Sequence, residues 1–152
     1  EQEGVREQSP LIGKPAPALE CRAWYNAAPL TLEGLRGKVV VLTFWASFDM
    51  RPEALDLIAV LRALHDLLAG VSDVAFVAVH DGTMYEQDVK QAIEELAIPF
   101  AVGHDAEPSK TFERYGVRRI PQTLLLDKRG IVRYTAPGDT LLERIKVLRR
   151  EE

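Results

Sequence analysis

The chain has a single cysteine, Cys21, among its 152 residues, so it cannot close an intramolecular disulfide, and its cysteine usage says little about compartment. It also lacks an excess of positive charge. Nineteen Lys and Arg stand against 23 Asp and Glu, a net charge of −4, which excludes the basic field a nucleic-acid surface needs. The densest basic pairs, Arg118-Arg119 and Arg149-Arg150, are too small for a phosphate-binding stripe. No apolar run approaches the roughly 18 residues that a membrane span requires. Three histidines without a His-x-x-x-His pair, and one thiol, make no recognisable metal-ligand set, so neither a metal nor a cofactor is expected. Repeats and low-complexity segments are absent as well. The first residues, Glu1-Gln2-Glu3-Gly4, include no Met, so the chain reads as a processed or excised piece of a longer one.

What is present suits one globular domain. The hydrophobic fraction is 47% and the charged fraction 28%, ordinary for a folded chain long enough to bury a core. Residues 1–10 are polar, lack periodicity and end in Ser9-Pro10; they read as a flexible tether, leaving 11–152 as the domain. Leu19 to Tyr25 suggests a short edge strand, and Leu30 to Leu35 a helical turn opened by Thr31 and stopped by Gly37.

Val39 to Trp45 (Val-Val-Val-Leu-Thr-Phe-Trp) is the strongest strand signal, continuous enough for a central strand covered on both faces. A long helix follows over about Met50 to Leu68, with Leu57, Ile58, Leu61, Leu64 and Leu68 marking one buried stripe. Val74 to Val79 is a second buried strand, and Tyr85 to Leu96 an amphipathic helix. Pro99 to Val102 suggests a short strand and Pro108 to Tyr115 a short helix. Gln122 to Leu126 and Ile131 to Tyr134 flank Asp127-Lys128-Arg129-Gly130 and read as a β-hairpin. Thr140 to Arg150 closes the chain as a helix. This order predicts an α/β sandwich with a mixed sheet.

Four motifs then stand in order. They are Ile12-Gly13-Lys14-Pro15-Ala16-Pro17; Leu32-Glu33-Gly34-Leu35-Arg36-Gly37-Lys38; Val39 to Ser47, ending Phe44-Trp45-Ala46-Ser47; and Tyr115-Gly116-Val117-Arg118-Arg119-Ile120-Pro121-Gln122-Thr123-Leu124-Leu125-Leu126-Asp127. Together they resemble the TlpA/ResA-like (redoxin) branch of the thioredoxin superfamily, over nearly everything from about residue 11 onward. The resemblance implies a thioredoxin-like three-layer sandwich, a mixed central sheet with helices on both faces. It also implies thiol–disulfide oxidoreductase ancestry and an extracytoplasmic setting, on the oxidising side of a membrane.

In that family the strand runs into Trp-Cys-x-x-Cys at a helix N-terminus, where unpaired N–H groups and the helix dipole stabilise a thiolate. The second thiol sits one turn away to resolve the mixed disulfide. A cis-proline opposite presents backbone onto which a substrate peptide adds. Here the stretch reads Phe48-Asp49-Met50-Arg51-Pro52-Glu53. Aligned from Trp45, the two Cys positions hold Asp49 and Pro52; aligned on Arg51-Pro52-Glu53, Met50 takes the second position with a two-residue deletion. Neither register supplies a thiol. A carboxylate suits a helix N-terminus, so Asp49 is expected to be the N-cap, with Pro52 in the first turn. Ile120-Pro121 keeps the family's cis-proline position.

Cys21 is expected to be a half-buried packing residue, with a redox role as the alternative. His80 and Asp81 should open on the same sheet edge as Asp49, which makes a small acid/base or metal site conceivable. The ordinary expectation for His65-Asp66, His80-Asp81 and His104-Asp105 is polar residues on a solvated rim.

The leading expectation is therefore a redox-inactive thioredoxin-like module with no catalytic cysteines. It would bind a protein or peptide through Trp45, Phe48, Asp49, Ile120 and Pro121, or serve structurally. The alternative is a thiol–disulfide oxidoreductase or peroxiredoxin-like enzyme that works through Cys21 or a partner.

Overall fold

The computed structural model describes residues 8–151. Six strands and four helices follow one another as β1 (Cys21–Tyr25), β2 (Val39–Trp45), α1 (Pro52–Leu67), β3 (Val74–His80), α2 (Glu86–Glu95), β4 (Ala101–Asp105), α3 (Lys110–Arg114), β5 (Gln122–Leu126), β6 (Val132–Thr135) and α4 (Leu141–Arg149). They form one sheet in the order β1-β4-β3-β2-β5-β6. The β2–β3 and β3–β4 pairs are parallel; β1–β4, β2–β5 and β5–β6 are antiparallel. This is the mixed sheet expected of the thioredoxin-like sandwich.

β2 is buried along its whole length and shows why a continuous apolar run was needed. Side chains alternate across a strand, so Val39, Val41 and Trp45 meet one helical layer and Val40, Leu42 and Phe44 the opposite layer. The first layer brings Ile58, Leu61 and Leu64 of α1, Val89 and Ile93 of α2, and Leu141, Ile145 and Leu148 of α4. The second brings Phe112 of α3 and Tyr115, with Leu19, Leu30 and Leu35 packed at its margin. Gly130 ends the β5–β6 turn at φ +82°, a backbone that residues with a Cβ rarely adopt, and its N–H closes the turn on the Asp127 carbonyl (2.9 Å).

Several boundaries moved. α1 begins at Pro52 and not Met50, because proline sets the first helical φ and drives Arg51 to extended backbone (ψ 148°). β4 runs to Asp105 instead of stopping at Val102, since Gly103 and His104 pair with β1 and β3 and Asp105 pairs with β1. Residues 1–7 of the expected tether lie outside the described residues. Its end is docked, not free: Ser9 is buried, and its N–H donates to Thr135 Oγ1 (2.9 Å).

Candidate functional site

β2 ends at Trp45, and the chain turns through Ala46–Asp49 before α1, the Asp49 N–H donating to the Ala46 carbonyl (3.1 Å). His80 holds this turn from the end of β3. Trp45, His80 and His104 are register partners on β2, β3 and β4, and their rings run edge to face at 4.7 and 5.8 Å. The His80 Nε2 accepts the Ser47 N–H (2.8 Å) and its Nδ1 lies 2.8 Å from the Asp81 carbonyl. A carbonyl only accepts, so the proton sits on Nδ1 and the ring is neutral. Burial pushes the His80 pKa down to about 4, against the raising effect of the Asp81 carbonyl.

Facing the turn is the Ile120-Pro121 loop, whose peptide bond is cis. Arg51 bridges the two. Its Nε and one terminal nitrogen donate to the two Asp49 carboxylate oxygens (2.8 and 2.9 Å), and the same terminal nitrogen donates to the Ile120 carbonyl (2.5 Å). These bonds hold the Asp49 carboxyl below the usual carboxylate range. Beneath the bridge is a small pocket lined by Trp45, Ser47, Asp49, Ala54, Ile58 and Pro121. Trp45 is 3% exposed, and its Nε1–H finds no acceptor among the described residues. Phe48 and Met50 stand out beside it, 57% and 65% exposed.

Asp49 is not the helix N-cap. Arg51 takes that position without a side-chain cap bond, and the Asp49 carboxylate turns back onto the Arg51 N–H (3.3 Å) and guanidinium. With Pro52 at the first helical position the donor nearest the expected cap is missing, and the guanidinium is the stronger partner.

The solvated-rim expectation fails for two of the three histidine pairs. His80 and His104 are 0% and 1% exposed, and Asp105 is wholly buried. His104 Nε2 accepts from Arg22 (2.9 Å), whose guanidinium also donates to the Gly82 carbonyl (2.5 Å); burial, then the Arg22 charge, lowers the His104 pKa. Asp105 accepts the N–H groups of Ala106 (2.9 Å), Thr111 (2.8 Å) and Phe112 (3.1 Å), tying β4 to the start of α3. His65 is partly exposed and packs edge-on against Phe76 (5.5 Å).

Asp49, His80 and Asp81 do not make a joint site. Each is committed elsewhere: Asp49 to Arg51, both His80 nitrogens to backbone, and Asp81 to Thr83 and Ser109 (3.3 Å). Among the described residues no group of three His, Cys, Asp or Glu side chains is arranged to hold a metal ion.

Cys21 lies on the edge strand β1, opposite Asp105, and packs against Gly103. Burial, with the Asp105 charge second, pushes its pKa up to about 12. Arg22 joins His104 and Asp105 as supporting groups behind the site, a role that the rim expectation for His104-Asp105 did not include. The signal available was His104 and Asp105 standing one glycine beyond the apolar Phe100–Val102 run, which reads equally as the end of a strand.

Residues 12–135 match the model of the AhpC/TSA family. The thiol:disulfide interchange protein DsbE of Escherichia coli (strain K12) is 31% identical over 141 residues, covering 87% of this chain and 68% of DsbE. Among solved structures, the thioredoxin-like superfamily protein SPOA0173 superposes with a TM-score of 0.74 at 28% identity, over 91% of this chain and 97% of its own. A thiol-disulfide isomerase from Corynebacterium glutamicum gives a TM-score of 0.76 at 25% identity, over 90% of this chain and 98% of its own.

Proposed function

The chain belongs to the AhpC/TSA family, as a thioredoxin-fold domain of the TlpA/ResA-like type, and from that premise we propose that it is a non-redox docking module. Its docking face is the one its relatives use for thiol–disulfide chemistry, here Trp45, Phe48, Asp49, Ile120 and Pro121. The observation that carries this reading is the separation of the only thiol from that face. Where a CxxC would stand, the chain has Asp49-Met50-Arg51-Pro52, and Cys21 lies two strands away from β2's neighbour β3, on the sheet edge.

Dithiol exchange needs a thiolate and a resolving thiol. Cys21 offers neither, since burial disfavours its thiolate and no second cysteine exists. What supports docking is the retained loop pair and two large apolar side chains left exposed on the segment between β2 and α1, Phe48 and Met50. An extended segment laid against the Ile120-Pro121 loop would be bound chiefly by backbone hydrogen bonds. The proposal includes an extracytoplasmic setting, which rests on the family likeness. No helix among the described residues is long and apolar enough to cross a membrane.

Two measurements test it. Purified protein should not accelerate insulin disulfide reduction by dithiothreitol; a rate comparable to that of an ordinary thioredoxin sinks the proposal. Iodoacetamide should alkylate Cys21 at pH 8 at least about a hundredfold more slowly in the native protein than in urea, because only the thiolate reacts. Native labelling as fast as in urea would restore Cys21 as a redox candidate.

A further inference from the structure

We infer that Asp49 and the Ile120 carbonyl form a subsite for a guanidinium or ammonium group, which Arg51 fills from within until a basic residue of the docked segment replaces it. This rests on the docking reading above and gives the partner its chemistry.

The first argument is geometric. Asp49 sits at the protein surface, and its side chain is only 6% exposed with the Arg51 guanidinium laid over the carboxylate. The one guanidinium donates three hydrogen bonds there: two to Asp49 (2.8 and 2.9 Å) and one to the Ile120 carbonyl (2.5 Å). Paired acceptors on a carboxylate with a carbonyl beside them are the complement of a planar guanidinium fork.

The second argument concerns displacement. Arg51 keeps its own side chain 55% exposed, so its ion pair is of the solvent-screened kind that contributes little. A second acceptor is already near: Glu53 Oε2 lies 4.0 Å from Arg51 Nη1. Arg51 can therefore leave Asp49 without losing a counter-charge. Its departure frees the Ile120 carbonyl, the backbone acceptor next to Pro121.

The third argument is independent of Arg51. The buried Trp45 Nε1–H has no acceptor among the described residues, and Trp45 lines the pocket directly under the bridge. That pocket holds about 10 Å³, the room of one water and not of a peptide, so a docked segment lies over it. Phe48 and Met50 are exposed on either side of Asp49 in the chain, so the segment that fits is basic at one position and apolar at the next, in keeping with the chain's net charge of −4.

The test uses fluorescence anisotropy with end-blocked, labelled pentapeptides of sequence Gly-Phe-Xaa-Phe-Gly, where Xaa is Arg, Gln or Glu. The Arg peptide should bind the wild-type protein about tenfold more tightly than the Glu peptide. Arg51→Ala should tighten the Arg peptide by up to about fivefold, the strength of an exposed pair. Adding Asp49→Asn to that variant should remove the preference for Arg over Gln. Equal binding of all three peptides to Arg51→Ala overturns the basic subsite and leaves the docking reading standing. Absence of binding by any peptide to either protein overturns both. A separate titration of Arg51→Ala with N-acetyl-arginine amide should move the backbone NMR signals of Asp49 and Ile120, and unmoved signals overturn the subsite alone.

Discussion

Acidification should loosen this fold well above the range where carboxylates titrate, and His80 is the reason. The ring is wholly buried and neutral, with Nδ1–H on the Asp81 carbonyl and Nε2 accepting from Ser47. Protonating Nε2 would set two N–H groups against each other. The groups around it compensate only in part: the Asp81 carbonyl and charge favour the proton, but burial outweighs them. His104 faces the ring at 5.8 Å with Arg22 behind it, and the Asp81 carboxylate is hydrogen-bonded to Thr83 and Ser109. The folded state thus binds this proton near pH 4, whereas the unfolded chain binds it near 6.5. Between those values the unfolded state carries more protons, so stability is fully present above pH 6.5 and drains as pH falls toward 4. At about 1.4 kcal/mol for each pH unit, His80 accounts for a loss of about 3 kcal/mol over that window. His104, lowered too, adds to it in the same direction. Asp49, Asp73 and Asp127 are all held below the ordinary carboxylate range, so they begin to contribute only at lower pH. Urea unfolding followed by circular dichroism, at half-unit steps from pH 7 to 4, measures the slope. His80→Gln keeps an acceptor near the Ser47 N–H and removes the titration, so its slope should be visibly shallower. Parallel slopes for the variant and the wild type would refute the reasoning, as would a His80 NMR titration centred near 6.5.

Two substitutions probe the packing that supports the site. Asp105→Ala leaves the N–H groups of Ala106, Thr111 and Phe112 without their buried acceptor and should cost about 3 kcal/mol in urea unfolding, with Asp105→Asn costing roughly half; a loss below about 1 kcal/mol would show that α3 does not depend on this carboxylate. Gly103→Ala would put a Cβ 2.6 Å from Cys21 Sγ and 3.0 Å from the Trp24 ring, which should destabilise by about 1–3 kcal/mol. Combining it with Cys21→Ala should recover part of that loss, and strictly additive single effects would refute the close contact.

Much of the architecture was legible because its signals are local. The seven residues of β2 are apolar or β-branched without interruption, and the stripe along α1 recurs at helical spacing, so both elements follow from period alone. The four motifs in order gave the family and with it the thioredoxin-like sandwich. The gap at Asp49-Met50-Arg51-Pro52 is likewise a fact of sequence: without two thiols there is no dithiol chemistry, however the chain folds.

What the sequence left open depends on partners distant along the chain. Asp49 has the right residue type for a helix cap, yet its preferred partner is the Arg51 guanidinium, and the Ile120 carbonyl that steadies Arg51 lies 69 residues away. His80, His104 and Asp105 look like rim residues one at a time, because a polar side chain normally ends a buried strand. They are buried because β2, β3 and β4 align Trp45, His80 and His104 in one row, and because Arg22, Ser47 and the start of α3 supply the hydrogen bonds that make burial affordable. Composition and period decided that this chain folds as a thioredoxin relative without its thiols. Only the tertiary register decided which polar groups are satisfied inside it, and which carboxylate faces outward already holding a cation.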